Sequence, residues 1–143
     1  LVGSEMCIRD RTYTPSHPLF GFLVSHDYVG FYNHEIEERR LYNYPPFTRI
    51  INIYLKHREQ GRLHVLAGAY GRRLRELFGN RVFGPEEPHV ARIKQMHIMR
   101  IMIKIETEAS MKKVKHILRE TYLEMDAARA LNGAQVYYDV DPM

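Results

Sequence analysis

The sequence predicts an α+β fold in which an antiparallel sheet is backed by two helices and preceded by a connecting helix. Three observations carry this. Arg49–Lys56 and Met99–Ile105 alternate apolar and polar residues with the period of two that a half-buried strand requires. Leu63–Leu77 and Met111–Met125 instead place apolar residues every three or four positions, as amphipathic helices do. Gln135–Val140 then supplies a short last strand beyond an Asn132-Gly133 turn. From Arg49 onward the order strand, helix, strand, strand, helix, strand is that of a split βαβ domain, ferredoxin-like or ribosomal-protein-like.

The first eleven residues, 1–11, have no clear period and read as a non-native leader, so they carry no weight in the fold. Thr12–Pro18 holds two prolines and is expected to be extended or turned. Ser25–Leu41 reads as one helix, with Ser25 as its cap, Asp27 in the first turn and Arg39 and Arg40 at the negative end of the dipole. Pro45 and Pro46 stop it and stiffen the joint, and Phe47 is placed to plug the core. In the next helix Leu63, Leu66, Ala67, Tyr70, Leu74 and Leu77 form the inner stripe, with Gly79 as C-terminal cap. Gly68 and Gly71 cost it about 1 kcal/mol each relative to alanine unless close packing needs them. Val82-Phe83-Gly84-Pro85 reads as a turn, and Val90–Met96 as a strand before the clearer one at Met99–Ile105. Ser110 caps the final helix, whose inner stripe runs from Met111 through Val114, Ile117, Leu118 and Thr121 to Met125.

A chain of 143 residues has room for one compact domain plus an appendage. Its one cysteine, Cys7, excludes an internal disulfide and a multi-cysteine zinc site, and its eight histidines show no metal-site spacing. No apolar run approaches the ~20 residues of a membrane span, so the expected location is the cytoplasm. The net charge of +4 is unevenly spread: Arg49–Ile105 carries twelve Lys/Arg against four Asp/Glu, while the segments on either side are each acidic by two. A basic excess concentrated in one domain favours a polyanionic partner, against the plainer reading of a solvated basic face.

Catalytic signatures are absent: there is no phosphate-binding glycine loop, metalloprotease helix motif or nucleophile elbow. Asp139 and Asp141, two apart on a strand, share a face and have the chemistry to hold Mg²⁺, but the plainer reading is the solvated end of a terminal strand. The stronger candidate is the sheet face left open opposite the helices. Alternation places Tyr54, Lys56, Arg92, Lys94, Arg100, Lys104 and Tyr137 there. Lysine and arginine neutralise phosphates, and tyrosines stack on unpaired bases for about 1–3 kcal/mol per base. Outward Lys and Arg on a sheet also serve solubility and block edge pairing, which is the competing reading for each residue taken singly.

Several segments together resemble one family. Glu38-Arg39-Arg40 followed by Tyr44-Pro45-Pro46-Phe47 is similar to the E-R-R…Y-P-P-F stretch that opens the C-terminal domain of the bacterial primosomal protein N′ (PriA) family of replication-restart DNA helicases. Val82-Phe83-Gly84-Pro85 resembles its V-x-G-P turn, and Arg92-Ile93-Lys94 with Arg100–Lys104 its basic hairpin. Asp139-Val140-Asp141-Pro142 matches its D-V-D-P ending, and Thr12–Pro15 corresponds to the final strand of its second helicase lobe. The motifs come in the family's order and cover essentially everything after Arg11. His97 or Ile98 stands where the family often has an aromatic before the Arg100 equivalent, which bears on base stacking at that point.

The resemblance implies four segments: 1–11 the leader, 12–24 the end of the second helicase lobe, 25–48 the connecting helix and Pro-Pro joint, and 49–143 the C-terminal DNA-binding or accessory domain. It implies no enzyme and no cofactor in this fragment; the ATP and Mg²⁺ site and the zinc-binding cysteines of the family, an ATP-dependent 3′-5′ helicase, lie upstream. The implied partners are single-stranded or forked DNA, the single-stranded-DNA-binding protein and other primosome proteins, met by a monomer without a membrane. The alternatives are a docking module for an acidic peptide, such as the tail of the single-stranded-DNA-binding protein, and an RNA-binding split βαβ domain. Against the last, the aromatic pattern of RNA-recognition motifs is missing from the central strands.

Overall fold

The computed structural model describes residues 11–131 and 133–142. The leader other than Arg11, Cys7, and Asn132 of the Asn132-Gly133 turn lie outside the described residues. The chain divides after Glu38 into two compact units.

In the first unit Thr12–Ser16 forms a turn and no strand, the helix expected over Ser25–Leu41 begins only at Tyr28, and a separate short helix, not expected from the sequence, precedes it. Helix α1 (Pro18–Val24) opens on a proline, whose missing N–H costs nothing in a first turn. Ser25 closes α1 rather than capping the next helix: its backbone N–H and its hydroxyl both donate to the Gly21 carbonyl, at 3.1 and 2.9 Å. Asp27 is the true cap of α2 (Tyr28–Leu41), its Oδ1 accepting the Gly30 N–H at 2.8 Å. Ser25 loses that role because His26, at φ +53, breaks the helix between them. No residue of α1 or α2 is buried, and Tyr28, Val29 and Tyr32 stand exposed.

The second unit is the split βαβ domain. Strand β1 (Thr48–His57) is followed by α3 (Gln60–Phe78), β2 (Val82–Glu86), the two-residue β3 (Arg92–Ile93), β4 (Met96–Glu106), α4 (Met111–Ala127) and β5 (Gln135–Val140). The order across the sheet is β2-β4-β1-β5, with every pairing antiparallel and β3 folded back on the start of β4. Ile53 lies opposite Ile101 on one side and Tyr138 on the other, which fixes the register of the three longest strands. The odd-numbered side chains Ile51, Ile53, Leu55, Ile101, Ile103 and Ile105 all face the helices and are buried. α3 meets them with Leu63, Leu66, Ala67, Tyr70 and Leu74, and α4 with Val114 and Leu118. Phe78, not Leu77, completes the α3 stripe.

Four local expectations need correction. The strand beside β4 is Val82–Glu86, which reads as a turn in sequence, whereas the expected strand at Val90–Met96 shrinks to two residues. The register shifts between Phe83 and Glu86, so Gly84-Pro85 is an irregularity within the strand and not its end. Gly84 is required there: it adopts φ +90, and a Cβ would lie 2.8 Å from the Arg100 carbonyl oxygen. Within α3, Gly71 lets Pro85 come within 3.2 Å of where a Cβ would sit, whereas Gly68 meets nothing and simply costs helix stability.

Ser110 takes the N-cap position of α4 through its backbone, but its hydroxyl makes no capping bond. Phe47 does not plug the core; it is half-buried, with the Arg40 guanidinium 5.1 Å above its ring. Beneath α3 the fully buried Tyr70 shares a 2.5 Å hydroxyl contact with Tyr138 of β5. Burial raises the pKa of both phenols, and the hydrogen bond adds to the rise at Tyr70.

Candidate nucleic-acid interface

The even-numbered residues of β1 and β4 point away from the helices. Cross-strand pairing therefore brings Tyr54 beside Arg100 and Tyr137, and Lys56 beside Ile98 and Gln135, all on the open face. Lys104 shares that face, opposite Ile50. Five of the seven predicted site residues thus share the open face: Tyr54, Lys56, Arg100 and Tyr137 toward one end of it and Lys104 toward the other.

Arg92 and Lys94 do not join them. Arg92 pairs with His97 and so takes the odd-numbered side of the pleat at the sheet's end. Lys94 sits in the two-residue turn between β3 and β4, at φ +46, followed by Gln95 at φ +63. That is a tight hairpin turn built without glycine, which is why the sequence does not betray its position.

The five differ in what their charges already do. The Arg100 guanidinium is held by the Glu86 carboxylate, its Nε donating to Oε1 at 3.0 Å with a second bond from Nη2. That pairing raises the Arg100 pKa and leaves the side chain 30% exposed. Lys104 is more enclosed. Its Nζ donates to the Tyr42 carbonyl at 2.7 Å and lies 4.0 Å from the centre of the Tyr44 ring and 5.1 Å from that of Phe83. Desolvation there lowers its pKa. Lys104 therefore fastens the Tyr-Pro-Pro-Phe joint to the sheet.

Lys56 is less constrained, with its Nζ 4.5 Å from the ring centre of Tyr137. Tyr137 is 41% exposed and donates its hydroxyl to Gln135 Oε1 at 2.7 Å. Asp139 occupies the same face opposite Asn52, whose Oδ1 is buried without a donor among the described residues. Asp141 has left the strand at φ +52 and pairs with Arg49 at 3.4 Å, so the two aspartates do not act as one site. Among the described residues no group of three or more His, Cys, Asp or Glu gathers as metal ligands, and no helix is long and apolar enough to cross a membrane.

Two clefts lie beside the sheet, one at its end and one on its helix side. At the sheet's end, His57, Arg58, Glu59, Lys94, Gln95 and Gln135 contribute to a cavity of about 550 Å³. Arg58 falls outside the predicted set because it lies beyond the alternating stretch of β1, where strand parity says nothing about direction. A second cavity, of about 340 Å³, opens between α4 and the free edge of β5, lined by Leu118, Tyr122, Tyr138 and Val140 with Lys115 and Arg119 at its rim.

Residues 40–143 match the family model described as the primosomal protein N C-terminal domain. The chain is 31% identical over 114 residues to the replication restart protein PriA of Bacillus subtilis, an alignment covering 78% of this chain and 14% of that protein. It is 26% identical over 123 residues to the PriA of Synechocystis, covering 81% of this chain and 15% of the relative. Against the PriA of Thermotoga maritima it is 28% identical over 113 residues, covering 76% and 14%. The chain thus spans about one-seventh of the length of these relatives.

Proposed function

Because the chain belongs to the primosomal protein N C-terminal domain family, we propose that it is the non-catalytic, DNA-gripping end of a replication-restart protein. In this reading it binds single-stranded or forked DNA on the open sheet face while the ATP-driven motor lies elsewhere in the parent protein. The observation that carries the reading is the convergence of Tyr54, Lys56 and Tyr137 at one corner of that face. A cation over an exposed aromatic ring can exchange its ring contact for a phosphate, freeing the ring to stack on a base. Arg100 and Lys104 contribute less to phosphate neutralisation, since Glu86 and the joint already hold them.

The test is the anisotropy of a labelled single strand titrated with the whole chain in low salt. Lys56→Ala with Tyr137→Ala is expected to weaken binding by about 2–4 kcal/mol, the sum of one stacked base and one phosphate interaction. Unchanged affinity in that double variant sinks the placement on this face.

A second reading is favoured by the cleft between α4 and β5. Its apolar floor and its Lys115 and Arg119 rim suit an acidic peptide ending in an apolar side chain, such as a tail of a single-stranded-DNA-binding protein. Lys115→Glu with Arg119→Glu should abolish capture of such a peptide while leaving DNA affinity largely intact. Retention of the peptide by that variant removes this reading.

A further inference from the structure

Resting on the DNA-binding reading above, we infer that the cleft at the end of the sheet is a subsite for one unpaired nucleotide of a single strand, its phosphate held by Arg58 and Lys94. Three turns meet there: β1 into α3, β3 into β4, and the approach to β5. The volume of about 550 Å³ lies inside the roughly 300–1,000 Å³ of small-molecule sites. A duplex presents a convex backbone to such a concavity, whereas a splayed nucleotide can enter it.

The lining chemistry agrees. Arg58 and Lys94 are exposed and make no hydrogen bond or ion pair among the described residues. The one acid in the wall, Glu59, is held by Arg62 at 2.9 Å, so the cleft keeps a positive field. Gln95 and Gln135 bring amides, which both donate and accept and so suit the edge of a base. Gln135 also ties the cleft to the open face, because it accepts the Tyr137 hydroxyl and lies opposite Lys56.

The hairpin turn is a second, independent pointer. A two-residue turn with both φ values positive is made most cheaply with glycine or asparagine. This one holds lysine and glutamine at φ +46 and +63, at a cost of about 1–2 kcal/mol each. Both residues line the cleft, so the backbone cost comes with two side chains that a glycine turn would lack.

The experiment compares whole-chain variants for binding to a labelled oligothymidylate in low salt. Arg58→Ala with Lys94→Ala should weaken binding about ten-fold or more and make the salt slope shallower by about 0.7 for each phosphate no longer neutralised. Lys112→Ala with Lys113→Ala, an equal charge change on α4 away from the cleft, should leave affinity within about two-fold. In the wild type, the side-chain amide signals of Gln95 and Gln135 should shift as the oligonucleotide is added. Wild-type binding that survives Arg58→Ala with Lys94→Ala overturns the subsite and leaves the sheet-face reading standing. Equal weakening by both double variants overturns it as well, since only net charge would then matter. Failure of the wild type to bind at all overturns both readings.

Discussion

Replacing Lys104 tests whether the joint is fastened to the sheet by one ammonium group. The side chain makes a charged hydrogen bond to the Tyr42 carbonyl and faces two aromatic rings. Such a hydrogen bond contributes about 1.5–3 kcal/mol, and each partly exposed cation–π interaction about 0.5–1 kcal/mol. Desolvation of the ammonium, which also lowers its pKa, offsets part of this. Lys104→Ala is therefore expected to cost about 1–3 kcal/mol, read as a shift of the urea midpoint at constant m-value. In a domain of roughly 100 residues each kcal/mol lowers Tm by about 4–8 °C. A double-mutant cycle with Tyr44→Leu should return a coupling of about 0.5–1 kcal/mol, because the ring and the ammonium lie 4.0 Å apart. A loss below about 0.5 kcal/mol together with additive single variants would refute the fastening role.

Three further outcomes follow from named interactions. Gly84→Ala should destabilise the domain by about 1–3 kcal/mol in chemical denaturation, because it adds a Cβ at φ +90 against the Arg100 carbonyl; a neutral effect contradicts the required bulge. Tyr138→Phe should cost about 1–2 kcal/mol by orphaning the buried Tyr70 hydroxyl, and Tyr70→Phe with Tyr138→Phe less than the sum of the singles. Since both phenols have raised pKa values in the folded state, the stability they contribute is present below pH 10 and declines as pH rises beyond it. Ultraviolet titration should accordingly show Tyr70 and Tyr138 ionising above the ordinary phenol range. Glu106 runs the other way: Arg81 holds its pKa below the ordinary 4.5, so its contribution is present above that pH and is lost as pH falls through the lowered value. Urea midpoints of wild type and Glu106→Gln should therefore differ at pH 7 and converge in acid.

Much of the fold is legible in the sequence because periodicity is a direct image of burial. Ile51, Ile53, Ile101 and Ile103 alternate in sequence and are all fully buried in the sheet. Where local chemistry is set by partners distant in sequence, periodicity is silent. Val82–Glu86 holds a glycine and a proline and reads as a turn, yet Arg100 and Met102 across the ladder make it a strand. Ser25 and Asp27 are both competent caps, and the break at His26 decides between them. For the candidate site, parity places Tyr54, Lys56, Arg100, Lys104 and Tyr137 on one face, but it carries no information on Glu86 or Tyr42, which already engage two of those charges. Arg58 and Lys94 sit in turns, where no period exists to read.

The most direct test of DNA binding at this face is the salt dependence of affinity for a labelled single strand, measured on the whole chain. Three exposed or ring-held cations, Lys56, Arg58 and Lys94, surround the corner and the cleft. With about 0.7 of a counterion released per phosphate neutralised, log K should fall against log salt with a slope of about −2. A slope near zero, or no binding at micromolar protein in low salt, would contradict the account.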